Sequence, residues 1–198
     1  MLDLQNLPNF HDACLERWQS IPPTLEAEGF YKLIQADHAD NYQLWLAEDR
    51  ARRDDKGYEF VYHAKREIDR WNQARNDQVE AMDLWLFEHL SPPPIGTCPV
   101  NSETPAMIID RLSIMSLKIF HMALQAKRSE ASEAHRETCR HKLGILRTQR
   151  IMLHECLLTL INDIKGGKRT FGMFRQFKMY NDPNLNPQLY AGKGEEGA

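Results

Sequence analysis

With 198 residues, 42% of them hydrophobic and 27% charged, the chain has the composition of an ordinary globular protein and the length of one good-sized domain with a tail. A formal net charge of −3 and a sequence pI near 6.2 argue against bulk attraction to nucleic acid or to an anionic membrane, leaving only a local basic patch as a route to either. No window approaches the roughly 20 uncharged apolar residues of a spanning helix, and the opening MLDLQNLPNFHDACLERW has no basic region followed by an apolar run. The expectation is a soluble, cytoplasmic protein.

Leu2 to Ile21 holds one short helical pattern, closed by Pro22 and Pro23. Thr24 to Asp55 is read as a long helix, with Trp45 and Leu46 marking a buried edge, and Gly57 breaks it. Phe60 to Leu90 is the second long helix, its apolar face made by Ile68, Trp71, Val79, Met82 and Leu86. The run SPPPIGTCP, Ser91 to Pro99, is a connection, because its prolines forbid a helix. A third helix follows, with Thr104 as N-cap and Pro105 at its first position, reaching Gln125. A charged segment from Lys127 to Arg140 leads into a fourth pattern, Leu143, Leu146, Leu153, Leu157, Leu160 and Ile164, stopped by Gly166-Gly167.

No segment alternates with period two over strand length, which predicts no sheet. The fold class is therefore all-α, an antiparallel bundle of four main helices in a single domain over 1–190. Residues 1–23 form its N-terminal short helix and turn, 166–190 an irregular segment packed back on it, and 191–198 a disordered tail.

Cys14, Cys98, Cys139 and Cys156 have no CxxC spacing and suit no disulfide framework. His135 and Cys139, four apart with His141 nearby, have the chance spacing of a charged helix, and no metal site is assigned. There is no HExxH, no GxSxG and no Glu-x-x-His pair, and GGKRT lacks the spacing of a phosphate loop. No motif names a cofactor.

The chemistry lies in polar stripes. On the first long helix His38, Asn41, Trp45, Glu48 and Arg52 share one face, and on the second Asp69, Asn72, Asn76, Glu80 and Asp83 do so. On the third, otherwise apolar nearly all round, Asp110, Arg111, Lys118 and His121 fall within about a third of the circumference. Buried charge costs several kcal/mol unless paired, so Asp110, Arg111 and Lys118 are expected to be buried in an ion network or a site wall, and Arg111→Ala to be severely destabilising.

Were the stripes to meet, they would line a cleft. His38, Glu48 and Asp69 are its candidate acid–base groups, and Asn41, Arg52, Asn72, Arg75, Asn76, Asp110, Arg111, Lys118 and Lys178 its candidate ligand-binding residues. The competing reading is solvated outer faces laced by pairs such as Glu48–Arg52. Phe171, Phe174, Phe177 and Tyr180, interleaved with Lys168, Arg169, Arg175 and Lys178, either fasten the C-terminal segment to the bundle or bind a protein partner. Two functions stay open: a small anionic ligand, such as a sugar phosphate or nucleotide sugar, in the cleft, or a non-catalytic protein that binds a partner through this segment.

Four ordered blocks carry a resemblance: H-x2-N-x2-LW-x2-ED-x-AR over His38 to Arg52, KR-x-ID-x2-NQ-x-RND over Lys65 to Asp77, NSETP-x-MIIDRLSI-x-SLKI over Asn101 to Ile119, and FKMYNDPNLNPQLY over Phe177 to Tyr190. They resemble an uncharacterised bacterial family defined only as a domain of unknown function. The resemblance implies a helical fold and an envelope-glycan context beside glycosyltransferases of surface-polysaccharide assembly. It transfers no catalytic residue, but its motif positions include most stripe residues, with Asp49, Tyr180 and Asn181 in addition.

Overall fold

The computed structural model describes residues 2–175, 177, 179 and 182–190. Helix α1, Leu7–Trp18, starts with proline in its first turn and buries Leu7, His11, Cys14, Leu15 and Trp18, a helical spacing. Helix α2, Phe30–Arg50, is shorter than the pattern suggested. Gly29 sits at φ 56, and the Gln35 side chain accepts from the backbone N–H groups of Glu26 and Ala27 at 2.8 and 2.9 Å. The amide thus satisfies donors that a helix through Thr24 would have used, and the chain enters α2 irregularly. At the other end a 3-10 turn, Asp54–Lys56, and Gly57 at φ 84 reverse the chain into α3, Tyr58–Leu90.

Helix α3 ends at Ser91, whose φ of 47 places it in the left-handed region before three prolines. Helix α4, Pro105–Lys127, is capped as expected: Thr104 Oγ1 accepts from Met107 N–H at 3.1 Å. Asp83, reaching from α3, accepts from Ala106 N–H at 3.2 Å, so a second chain segment supplies a carboxyl to the positive end of α4. Burial pushes the Asp83 carboxyl up to about 6.

Ser132 caps α5, Glu133–Lys165, and the part of the charged stretch from Glu133 on forms its first turns, laced by Glu133, Arg136, Glu137 and Arg140. Gly166 and Gly167, the latter at φ 71, end it. Beyond lies a short α6, Pro187–Tyr190.

The fold is all-α. Helices α2 and α3 pack as one hairpin, α4 and α5 as a second, and α1 lies against α4 and α2. One departure is a two-residue parallel pair, β1 Val100–Asn101 with β2 Thr170–Phe171. A two-residue strand shows no alternation, so periodicity misses it. The pair is held by Thr170, whose hydroxyl donates to the Pro93 carbonyl at 2.6 Å and whose N–H donates to Pro99 O at 3.1 Å.

The main core joins Ile34, Met82, Leu86, Ile109, Leu112, Leu157, Ile161, Ile164 and Phe171 from four helices and β2. A smaller cluster, Cys14, Leu15, Trp18 and Leu117, lies under α1, with Tyr42 and Trp45 packed on it. Among the described residues no helix is long and apolar enough to cross a membrane.

Candidate functional site

Between the hairpins, beside α1, lies a continuous chain of buried hydrogen bonds. His38 is fully enclosed, with Nε2 3.1 Å from the His11 carbonyl and Nδ1 2.8 Å from Ser113 Oγ. A carbonyl only accepts, so Nε2 carries the hydrogen and Nδ1 the lone pair. Ser113 must then donate to Nδ1, and its oxygen accepts from Asn41 Nδ2 at 3.0 Å. The second Asn41 hydrogen goes to Asp110 Oδ1 at 2.8 Å, with Asp37 Oδ2 a longer alternative acceptor at 3.5 Å. Partner chemistry assigns every hydrogen along the chain from His11 to Asp110. Bonded partners along it are as much as 75 positions apart in sequence.

Burial drives the His38 imidazole down to about 3, opposed by its bond to the His11 carbonyl. His38 is therefore neutral, with both ring nitrogens engaged, and no lone pair faces a substrate. It acts as an organiser of the interface, contrary to its expected acid–base role. The His11 ring lies 4.4 Å from it, tilted by 31°, and both His11 nitrogens are buried without a partner. Burial first, then His38, Arg150 and His154, depress its proton affinity.

Asp37, fully buried on α2, adjoins Asp110. Burial, then the Asp110 charge, push its carboxyl well above the usual carboxylate range, while Arg75 pulls the other way. Two carboxyls sharing one buried site do not both ionise near neutrality, so the pair retains one proton, with Asp37 the fully buried member. Arg75, on α3, is the countercharge. Its Nε lies 4.0 Å from Asp110 Oδ1, and the Arg75 and Asp110 side chains are 23% and 16% exposed. Farther along α2, burial and then Asp77 raise Asp40 to about 6.

Asn41 and Arg75 form the deep end of a cavity of about 310 Å³ among α2, α3 and α4. Its apolar wall is Leu44, Trp45, Ile114 and Leu117. Its mouth carries Glu48, Asp49 and Arg52, with Arg52 70% exposed and bonded to Glu48 at 2.7 Å. Trp45 is held in place by His121, stacked at 4.4 Å and 5°. Three helices thus contribute to one hollow that combines an indole, two guanidiniums and two carboxylates.

The structure does not bring every expected residue there. Asp69 faces outward from α3, paired with Lys65 at 3.4 Å and Arg66 at 3.1 Å. Asn72 and Asn76 lie on α3 outside the lining, Asn76 buried. Lys178, Tyr180 and Asn181 lie outside the described residues, as does 191–198.

The expectation of burial for Arg111 and Lys118 is overturned. Arg111 is 51% exposed and bonded to Glu103 at 2.8 Å, and Lys118 is exposed. Both border an open hollow between α4 and α5 with Met115, Gln149 and Met152. The arc of α4 that they occupy falls where α5 leaves a groove, whereas Asp110 and His121 turn toward α2. Arg111→Ala should therefore cost only about 0–1 kcal/mol, the scale of an exposed pair. Thermal melting checks this, and a loss of several kcal/mol would mean the Glu103 pair is shielded.

Sequence reasoning passed over Asp37, Ser113 and His11. Asp37 had a signal, since it stands one helical turn before Asn41 on the α2 stripe. Ser113 and His11 had none, being small or lone polar residues on mostly apolar faces.

A family described as "Protein of unknown function (DUF4254)" matches residues 31–173. The chain belongs to this family. All the cavity residues, and Asp37 and Asp110 behind them, lie inside the DUF4254 span, whereas α1 precedes it. No curated protein and no solved structure matches the chain. The DUF4254 description states no activity, so roles for these residues rest on geometry.

Proposed function

We propose that the α2–α3–α4 cavity binds a small phosphorylated or nucleotide-linked sugar. The observation that supports this is the meeting of Arg75 and Trp45 in one hollow whose volume lies at the lower end of the range for small-molecule sites. Arg75 at the deep end offers a guanidinium to a phosphate, and Arg52 a second cation at the mouth. Trp45 and Ile114 present an apolar wall to a sugar ring. Glu48 and Asp49 are suited to accept from sugar hydroxyls, so the mixture of charges fits a sugar phosphate better than a bare anion. An envelope-glycan setting follows from the motif resemblance and gives the choice of sugars to test.

Thermal-shift measurements against sugar phosphates and nucleotide sugars test the reading, since a ligand bound only by the folded chain raises its melting temperature as concentration passes Kd. Arg75→Gln should lose the shift relative to its own ligand-free melt. Lys118→Met, outside the cavity, should keep it. A broad panel with no shift at millimolar concentration would reject the cavity reading. The partner-binding reading would then stand on Phe177, which is 83% exposed, and Phe174 beside it. Against it, the same segment is anchored by fully buried Phe171 and by Arg175, bonded to Glu80 at 2.8 Å.

A further inference from the structure

Arg75 is held in an unfinished arrangement. Its Nε is buried without a hydrogen-bond partner, and its 4.0 Å approach to Asp110 is beyond hydrogen-bond reach. Asp110 is bonded by Asn41 instead, and Asp37 Oδ1 also lacks a partner. The guanidinium therefore balances the carboxyl pair through space while keeping donors for something else. Without an anion on Arg75 the balance is one positive charge against one negative charge and one proton on the pair. An anion bonded to Arg75 cancels that positive charge and leaves the carboxylate in a desolvated site without compensation.

We infer that the cavity takes its phosphate-bearing ligand together with a proton: the anion pairs with Arg75, and Asp37 and Asp110 then hold two protons instead of one. This rests on the cavity reading above and adds its regulation, a tighter grip on the ligand as pH falls. The only covalent change is an O–H bond formed on a carboxylate oxygen, with the proton drawn from solvent. The groups facing the pair are Arg75 from α3, Asp40 along α2 with Asp77 opposite it, and Asn41 and Ser113 between the pair and His38. On the α1 side stands His11. Glu48, Asp49 and Arg52 stand toward the mouth. His38 has no free lone pair, which leaves Asp40 and His11 to be separated, Asp40 by its own variant and His11 by whether uptake survives loss of the carboxyl pair.

Isothermal titration calorimetry of the full chain with UDP-glucose and with glucose 1-phosphate tests this. The diphosphate of UDP-glucose keeps its charge near neutrality, whereas a phosphate monoester titrates at about pH 6 and serves only to establish binding. For UDP-glucose, the heat in two buffers of different ionisation enthalpy should reveal net proton uptake. Affinity should rise as pH falls from about 8 to 6, with about tenfold per unit as the limit for one whole proton. The double variant Asp37→Asn/Asp110→Asn should bind with buffer-independent heat, and Asp40→Asn should keep the uptake.

If the double variant does not fold, difference infrared spectra of the unaltered chain serve instead: UDP-glucose should convert carboxylate absorption into protonated-carboxyl absorption. Binding with buffer-independent heat, uptake that survives the double variant, or no such spectral change would overturn the proton coupling alone. Silence from both sugars would overturn the cavity reading and the coupling with it.

Discussion

Replacing Asn41 by leucine should lower the unfolding free energy by about 3–5 kcal/mol. Among the described residues only Asn41 is bonded to both Ser113 and Asp110, at 3.0 and 2.8 Å, and it is buried between α2 and α4. Leucine fills a similar volume but donates nothing, so Asp110 loses a charge-assisted bond in a site with little water to replace it. Ser113 can still donate to His38 but is left with an unused acceptor. Urea denaturation should show a lower midpoint with an unchanged slope, the mark of lost stability without a change in the surface exposed. A loss under about 1 kcal/mol would mean that water enters and replaces the amide, and the buried relay would not be the element that joins the hairpins.

Arg75→Met should be nearly as damaging at neutral pH, and its cost should depend on pH. Methionine keeps much of the apolar stem but removes the countercharge, leaving a buried carboxyl pair with one net negative charge, a defect of about 3 kcal/mol. Arg75 lowers the proton affinity of Asp37, so its removal raises that affinity further above the unfolded value. A carboxyl whose folded pKa is raised destabilises the fold above that pKa, and the penalty is relieved as pH falls toward the unfolded value near 4.

The deficit of Arg75→Met relative to the natural chain should therefore be greatest above the raised Asp37 range, at about pH 9, and shrink toward about pH 5, where Asp37 is protonated in both proteins. The depressed histidines, His11 and His38, work the other way, losing stability below the ordinary histidine range, but they are common to both proteins and cancel in the comparison. Paired denaturation curves at the two pH values decide the matter. Equal deficits would show that Arg75 serves by packing and not by charge.

The two predictions fall on residues that differ in how visible they were. Asn41 and Arg75 were both legible, Asn41 as a stripe member by its spacing from His38, Trp45 and Glu48, Arg75 by its place in a motif. Their partners were not. Asn41 meets Ser113, 72 positions on, and Asp110, 69 positions on. No local spacing encodes such meetings.

His38 shows the same limit differently. Its residue type suggests a general base, but only enclosure by α1 and α4 makes it neutral and fully bonded.

The sequence by itself determined what depends on neighbours within a few residues. The four main helices, the Thr104 cap before Pro105, the proline-rich break after Leu90 and the glycine stop after Lys165 follow from local sterics and backbone hydrogen bonding. Which arc of a helix is covered was decided only by tertiary packing. Asp110 and Arg111 are adjacent and both charged, yet one is held inside by Asn41 and the other lies open beside Glu103. A step of about 100° around α4 carries the chain from the α2 interface to the groove beside α5. Helical periodicity ranks the faces of one helix by polarity, but burial of a charge depends on whether a neighbour brings the partner that makes it affordable.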